Sequence, residues 1–185
     1  FGYHLINFII HYTAAVFLFL FILNALRLPL LKDRYGERAY VISALATVFW
    51  AINPLQVLAV SYVVQRMASM AGMFYIAAMY FYLKGRTAEG LKTRAFFFLC
   101  CLMAAVLAFG SKENAAMLPV SIFIFDLFLI QGAERDTVRN NLKFALIAFS
   151  VVLILANSYS DLSDILDGYL VRSYTLSERL LTEPR

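Results

Sequence analysis

Along the chain, apolar positions gather into six blocks separated by short polar joints. The blocks run His4–Leu26, Ala39–Pro54, Met67–Leu83, Ala95–Gly110, Ala115–Ile130 and Lys143–Tyr159. Their apolar residues form continuous runs and not one-sided stripes. A helix that is apolar all round belongs in lipid, not on the surface of a soluble core. The pattern therefore predicts an all-α, polytopic transmembrane helical bundle of six spans within residues 1–159. Beyond Tyr159 the pattern changes: Tyr169, Leu170, Tyr174, Leu176, Leu180 and Leu181 mix with Arg172, Glu178 and Arg179. That mixture predicts an amphipathic segment over residues 160–185, lying on the membrane surface.

The fourth and fifth blocks form an apolar hairpin, Ala95 to Ile130, with Ser111-Lys112-Glu113-Asn114 at its centre. Each arm has about sixteen residues, or about 24 Å of helix at 1.5 Å per residue, against a hydrocarbon core of about 30 Å. The turn is expected to sit recessed beneath one face of the bilayer. Ionisable groups at that depth cost several kcal/mol unless they are paired or face a wet cavity, which marks them as candidate functional groups. The plainer reading is an interhelical turn in which Lys112 snorkels to the headgroups and Ser111 caps a helix.

Composition narrows the function classes. The chain is 62% hydrophobic with a mean hydropathy of +0.74, which excludes a soluble domain. Its net charge of +4 comes with no basic, aromatic-studded face, so nucleic acid is not a partner. The cations instead report orientation. Eleven of the sixteen lie in three connections: Arg27, Lys32, Arg34 and Arg38; Lys84, Arg86, Lys92 and Arg94; Arg135, Arg139 and Lys143. The positive-inside rule makes those connections cytoplasmic. Alternation then puts the start of the first span, the turn after Pro54, the Ser111–Asn114 turn and the tail outside. An outer residue 1 directly before a span implies an earlier span and an external loop upstream. The protein is expected to be an integral, multi-pass protein of a bacterial inner membrane, its outer set facing the periplasm or exterior. Cys100 and Cys101 are neighbours about 100° apart on one helix, a poor geometry for a bridge, and read as packing residues.

The outer side carries the unusual residues. His4, Asn7 and His11 are spaced three and four apart and share one helix face; a polar seam between membrane helices would use the same spacing. Two histidines without a third ligand do not make a metal site, and no cofactor is implied. Asn53-Pro54 predicts a break, because proline removes a backbone donor and restricts the residue before it. Leu55–Val64 is then an interfacial or re-entrant segment that ends at Gln65-Arg66. Arg66 offers a donor fork that matches phosphate, or else anchors a helix end at the headgroups. In the third block Ser69, Ala71, Gly72, Ala77 and Ala78 predict close helix packing, and Tyr75, Tyr80 and Tyr82 a cytoplasmic interface belt. Asp126 is read as structural, within reach of a cation such as Arg135. Asp161, Asp164 and Asp167 lack the Gly and Glu of a calcium loop and read as a solvated face.

Three outward elements thus converge: the His4/Asn7/His11 face, Asn53 with Gln56 through Gln65-Arg66, and Ser111–Asn114. A recessed, cationic pocket beside lipid suits the phosphate of a lipid-linked substrate. Lys112 and Arg66 would hold that phosphate together with helix N-terminal amides at Ser111–Asn114, while Glu113 orients Lys112 or an acceptor hydroxyl. The ordered set Gly2-Tyr3-His4-Leu5-Ile6-Asn7 with His11, Asn53-Pro54-Leu55-Gln56, Ala59-Val60-Ser61-Tyr62, Gln65-Arg66, Ser111-Lys112-Glu113 and Phe125-Asp126 resembles the membrane domain of one GT-C glycosyltransferase branch. That branch is the protein O-mannosyltransferase-like proteins that carry tetratricopeptide repeats. The resemblance covers Phe1 to about Tyr159.

It implies a partial glycosyltransferase, moving a sugar from a polyprenyl-phosphate donor to a hydroxyl of a protein or glycan on the outer face. It also implies that the catalytic Asp lies in an external loop upstream of Phe1, and the repeats downstream of Arg185. The sequence departs from the family at Asn53, where His is common, and at Val57-Leu58, where a polar-acidic pair is commoner; both bear on sugar and acceptor identity. Two other classes fit the span pattern: a transporter or flippase for a polar lipid or solute, and a non-catalytic membrane subunit. The chain shows one proline break near an interface and no internal repeat, which favours a transporter less.

Overall fold

No proline and no Asp, Glu, Lys or Arg interrupts the first apolar block, and it folds as one helix, α1, Gly2–Leu26. The structure is a computed structural model in which residues 2–57 and 65–132 are described, and their regular structure is all helical. The basic joint after α1 is not a plain loop. Pro29 occupies the first turn of a short helix, α2, Pro29–Tyr35, where its missing N–H costs nothing. One 3₁₀ turn, Gly36–Arg38, leads into α3, Ala39–Ala51. The chain breaks there as Pro54 requires: Asn53 is extended at ψ 131°, and Pro54–Gln56 make one 3₁₀ turn.

The third block becomes α4, Arg66–Thr87, and the fourth α5, Leu91–Ser111. Both run further toward the basic joint than the apolar pattern reaches. Lys84, Arg86, Lys92 and Arg94 are good helix formers, so the helices continue past the apolar zone and leave Ala88–Gly90 as the turn between them. After Lys112 the fifth block opens with a 3₁₀ stretch, Glu113–Met117, continues as α6, Leu118–Phe125, and finishes in a π-turn, Asp126–Ile130. The Gln131 amide closes that π-turn on the Asp126 carbonyl at 2.9 Å. Gly132 follows at φ 79°, the left-handed residue that ends a helix.

Successive long helices run in alternating directions. α4 is central and packs on α1 and α5, while α3 packs on α1. Small residues permit the approach: Ala71, Ala77, Ala78 and Gly85 of α4 are buried, as are Ala104 and Ala108 of α5. A Cβ at Gly85 would stand 3.1 Å from the Phe98 ring. Around them lie Leu83, Leu118, Phe125 and Cys101, with Phe17 and Phe21 of α1 packed against the cluster. Cys100 and Cys101 are both free thiols.

The outside is apolar. Phe49, Leu102 and Phe8 are 68%, 60% and 56% exposed, among many others on α1, α3 and α5. Apolar surface on that scale belongs against another apolar phase. Two helices, His4–Leu26 and Leu91–Ser111, are long and apolar enough to cross a membrane, and Asn114–Ile130 is a shorter apolar helix. The sixth predicted span, the residue 160–185 segment, Arg135 and the Asp161/Asp164/Asp167 series lie outside the described residues.

Two features of the third block differ from the expectation. Tyr75 is no part of an interface belt: it sits in the middle of α4, and its hydroxyl meets Ser121 Oγ. Gly72 is exposed and does not join the helix seam. At the basic end, Asp126 finds a cation on α4. Arg86 Nε donates to Asp126 Oδ1 at 2.7 Å, and Tyr82 Oη donates to the same oxygen at 2.8 Å. Gln131 Nε2 donates to Oδ2. The buried carboxylate is thereby held from α4 and from the turn that follows its own helix.

Candidate functional site

At the end opposite the basic joints, the chain topology gathers the start of α1, the end of α3, the start of α4 and the Ser111–Asn114 turn. Each contributes groups because a helix ends or begins there. α1 supplies Asn7 and His11, one turn apart on the same face. Asn7 is fully buried, and its Oδ1 accepts from Arg66 Nε at 3.0 Å. This ties the first turn of α4 to α1. His11 lies against Trp50 of α3, with ring centroids 5.1 Å apart and planes 20° from parallel. His11 Nε2 is 3.0 Å from the Ala51 carbonyl oxygen. A carbonyl only accepts, so Nε2 carries the proton of this contact, and the tautomer protonated at Nε2 alone presents Nδ1 as an acceptor. His4 is exposed on the turn before and does not share the buried seam.

The break after α3 is built by Asn53. Its Oδ1 accepts from the Leu55 amide at 2.9 Å, an Asx turn that stands in for a helix cap. The turn it shapes presents Gln56. A cleft of about 400 Å³ opens between this turn, α1, α3 and α4, with His11, Gln56, Gln65 and Ser69 as its polar walls and Trp50 among the apolar ones. A second cleft of about 380 Å³ lies along α4 between Trp50 and the Ser111–Asn114 turn, lined by Lys112 and Asn114 over Ala68, Ala71, Gly72, Tyr75 and Ala115. Both volumes fall in the range of small-ligand sites, about 300–1,000 Å³. The clefts share Trp50, Ala68, Gly72 and Ile76 as walls, so they adjoin along one face of α4.

The turn that supplies Lys112 differs from expectation in detail. Ser111 ends α5 and does not cap the next helix; its Oγ donates back to the Leu107 carbonyl at 2.7 Å. The Lys112 amide is spent on Ala108 O at 3.1 Å. The backbone then runs extended through Lys112, and the next helical stretch starts at Glu113. Of the four amides expected to face a ligand, those of Ser111 and Lys112 therefore close α5. The Lys112 side chain is half-buried and lines the second cleft.

The two outer cations stand on different supports. Lys112 lines a cleft, whereas Arg66 is joined to the Asn7 seam. Among the described residues no group of three His, Cys, Asp or Glu side chains is placed to hold a metal ion. Trp50, the only tryptophan, sits three residues before the Asn53-Pro54 break and carries no charge or spacing that marks it in the sequence. Its place at a helix end bordering a turn was the available signal.

Fold and site together define an all-helical, lipid-compatible bundle with a two-part cleft beside one cation at one end. Comparison of the chain with family models, with curated proteins and with solved structures gives no match.

Proposed function

We propose that the chain is the membrane part of a glycosyltransferase that takes its sugar from a polyprenyl-phosphate donor. In this reading the six spans alternate across the bilayer, with the basic joints on the cytoplasmic side. The cleft end then faces the periplasm or exterior. One observation carries the proposal: Lys112, the single Lys or Arg of the Ala95–Ile130 hairpin, lines a cleft floored by Ala71, Gly72 and Ala115. A cation above an apolar floor is complementary to an anionic head on a hydrocarbon chain. The lipid phosphate sits at Lys112 and Asn114, and its polyprenyl tail leaves along the exposed apolar flank of the bundle.

In the transfer, an acceptor hydroxyl of a protein or glycan loses its proton to the Asp that the family resemblance puts in an external loop. The acceptor oxygen bonds to the anomeric carbon as the carbon–oxygen bond to phosphate breaks. The leaving phosphate takes the electron pair, and Lys112 stabilises the charge that develops on it. Arg66, bonded to Asn7, holds α1 and α4 in register beside the site. The Asn53 turn and Gln56 form the rim. Glu113 follows Lys112 in the chain and is assigned to the acceptor side.

The test is Lys112→Ala in the full-length protein. Sugar transfer from a polyprenyl-phosphate sugar in isolated membranes is expected to fall by at least about a hundredfold, in line with removal of a transition-state charge stabiliser. Membrane insertion and expression stay at the wild-type level, and Lys112→Arg recovers part of the rate. Wild-type transfer by Lys112→Ala would exclude Lys112 from the mechanism.

A further inference from the structure

The two clefts differ in chemistry, and their shared wall gives them an order. The Lys112 side has the cation and little other polarity. The other side carries four polar side chains, His11, Gln56, Gln65 and Ser69, around the Trp50 indole. Between them stands Gly72, where an added Cβ would meet nothing within 4 Å. Gly72 thus leaves open space on the helix face that lines both clefts.

We infer that the His11–Gln56–Gln65 cleft is a saccharide subsite, in which the Trp50 wall packs against a sugar ring whose phosphate is held at Lys112. This rests on the donor reading above and adds where the sugar lies and what recognises it. The chemistry matches on three counts. Sugar rings present C–H faces that pack on aromatic walls, and the indole stands at the junction of the clefts. Trp50 is fixed there by its stack on His11, so little side-chain freedom remains to be lost on binding. Ring hydroxyls need both donors and acceptors. The two glutamine amides supply both, and His11 Nδ1 adds an acceptor because Nε2 is committed to Ala51. A purely anionic ligand would use only the amide donors, and a purely apolar one neither the donors nor the acceptors.

The experiment measures binding of three probes to the full-length protein in nanodiscs: citronellyl phosphate and its mannosyl and glucosyl esters. The wild type is expected to bind at least one sugar ester more tightly than the bare phosphate. Gln56→Leu lowers the ratio of sugar-ester to bare-phosphate affinity by at least about threefold, the worth of one lost neutral hydrogen bond. Trp50→Leu lowers it as well, and Gly72→Leu, which enters open space, weakens the sugar ester in a protein of wild-type thermal stability. Two results overturn the subsite: no increment for either ester, or an increment that survives both Gln56→Leu and Trp50→Leu. A failure of the donor reading looks different. Bare citronellyl phosphate would then bind no better than citronellol, or equally well in Lys112→Ala, and the subsite would fall with it.

Discussion

At the scale of single residues, the side chains that charge and spacing single out divide into two kinds. Asp126 is a buried carboxylate with three donors turned onto it: Arg86, Tyr82 and Gln131. It is a fastening between α4 and the end of the fifth block. Asp126→Ala leaves the Tyr82 and Gln131 donors without their acceptor, at a cost of about 1–3 kcal/mol. The expected outcome is a lower unfolding temperature in detergent with unchanged donor affinity; a fall in affinity at unchanged stability would place Asp126 in the site instead. Lys112 is the other kind, a charge with a cleft before it. The sequence showed that both residues needed a reason to be in lipid, because charge at depth is costly. It did not show which reason applied. That depends on Arg86, forty positions away, and on Gly72, and such pairings are made by packing rather than by spacing. The Asn7 and His11 seam was legible, since positions four apart must share a face. Trp50 was not, because an aromatic at a helix end more often only packs.

At the scale of elements, the breaks were legible and the ends were not. Pro54 ends α3 and Pro29 begins α2 for the same cause, the missing N–H. Apolarity measures how much of a helix meets lipid, so α4 and α5 outrun the apolar blocks by the length of their charged, helix-competent turns. The two glycines of α4 serve opposite ends. Gly85 lets α5 approach, and a Cβ there would press the Phe98 ring at 3.1–3.3 Å. Gly72 faces open cleft. Gly85→Leu is therefore expected to destabilise the bundle by about 1–3 kcal/mol through overpacking. It should be read as a drop in unfolding temperature larger than that of Gly72→Leu. Equal drops for the two variants would mean that the α4–α5 approach is not set by Gly85.

At the scale of the whole molecule, the segregation of cations is the strongest sequence signal, and the described helices agree with it. The joints with Arg27–Arg38 and Lys84–Arg94 meet at one end, and Lys112 and Arg66 stand at the other. A two-part cleft at the sparsely charged end is what the packing adds. The pattern of spans could not supply it, because a cleft is made by the side chains that a helix lacks, here at Ala68, Ala71 and Gly72. An outward-opening pocket that takes an anionic lipid head is the claim on which the proposed chemistry stands.

Side-specific labelling of Asn114 tests that claim most directly. Asn114 is exposed and lines the Lys112 cleft, so Asn114→Cys, with Cys100 and Cys101 replaced by alanine, reports both side and occupancy. A membrane-impermeant maleimide applied from the extracytoplasmic side is predicted to label it. Polyprenyl phosphate, but not polyprenol, is predicted to slow the reaction. Labelling only from the cytoplasmic side, or equal rates with and without the phosphate, would contradict the account.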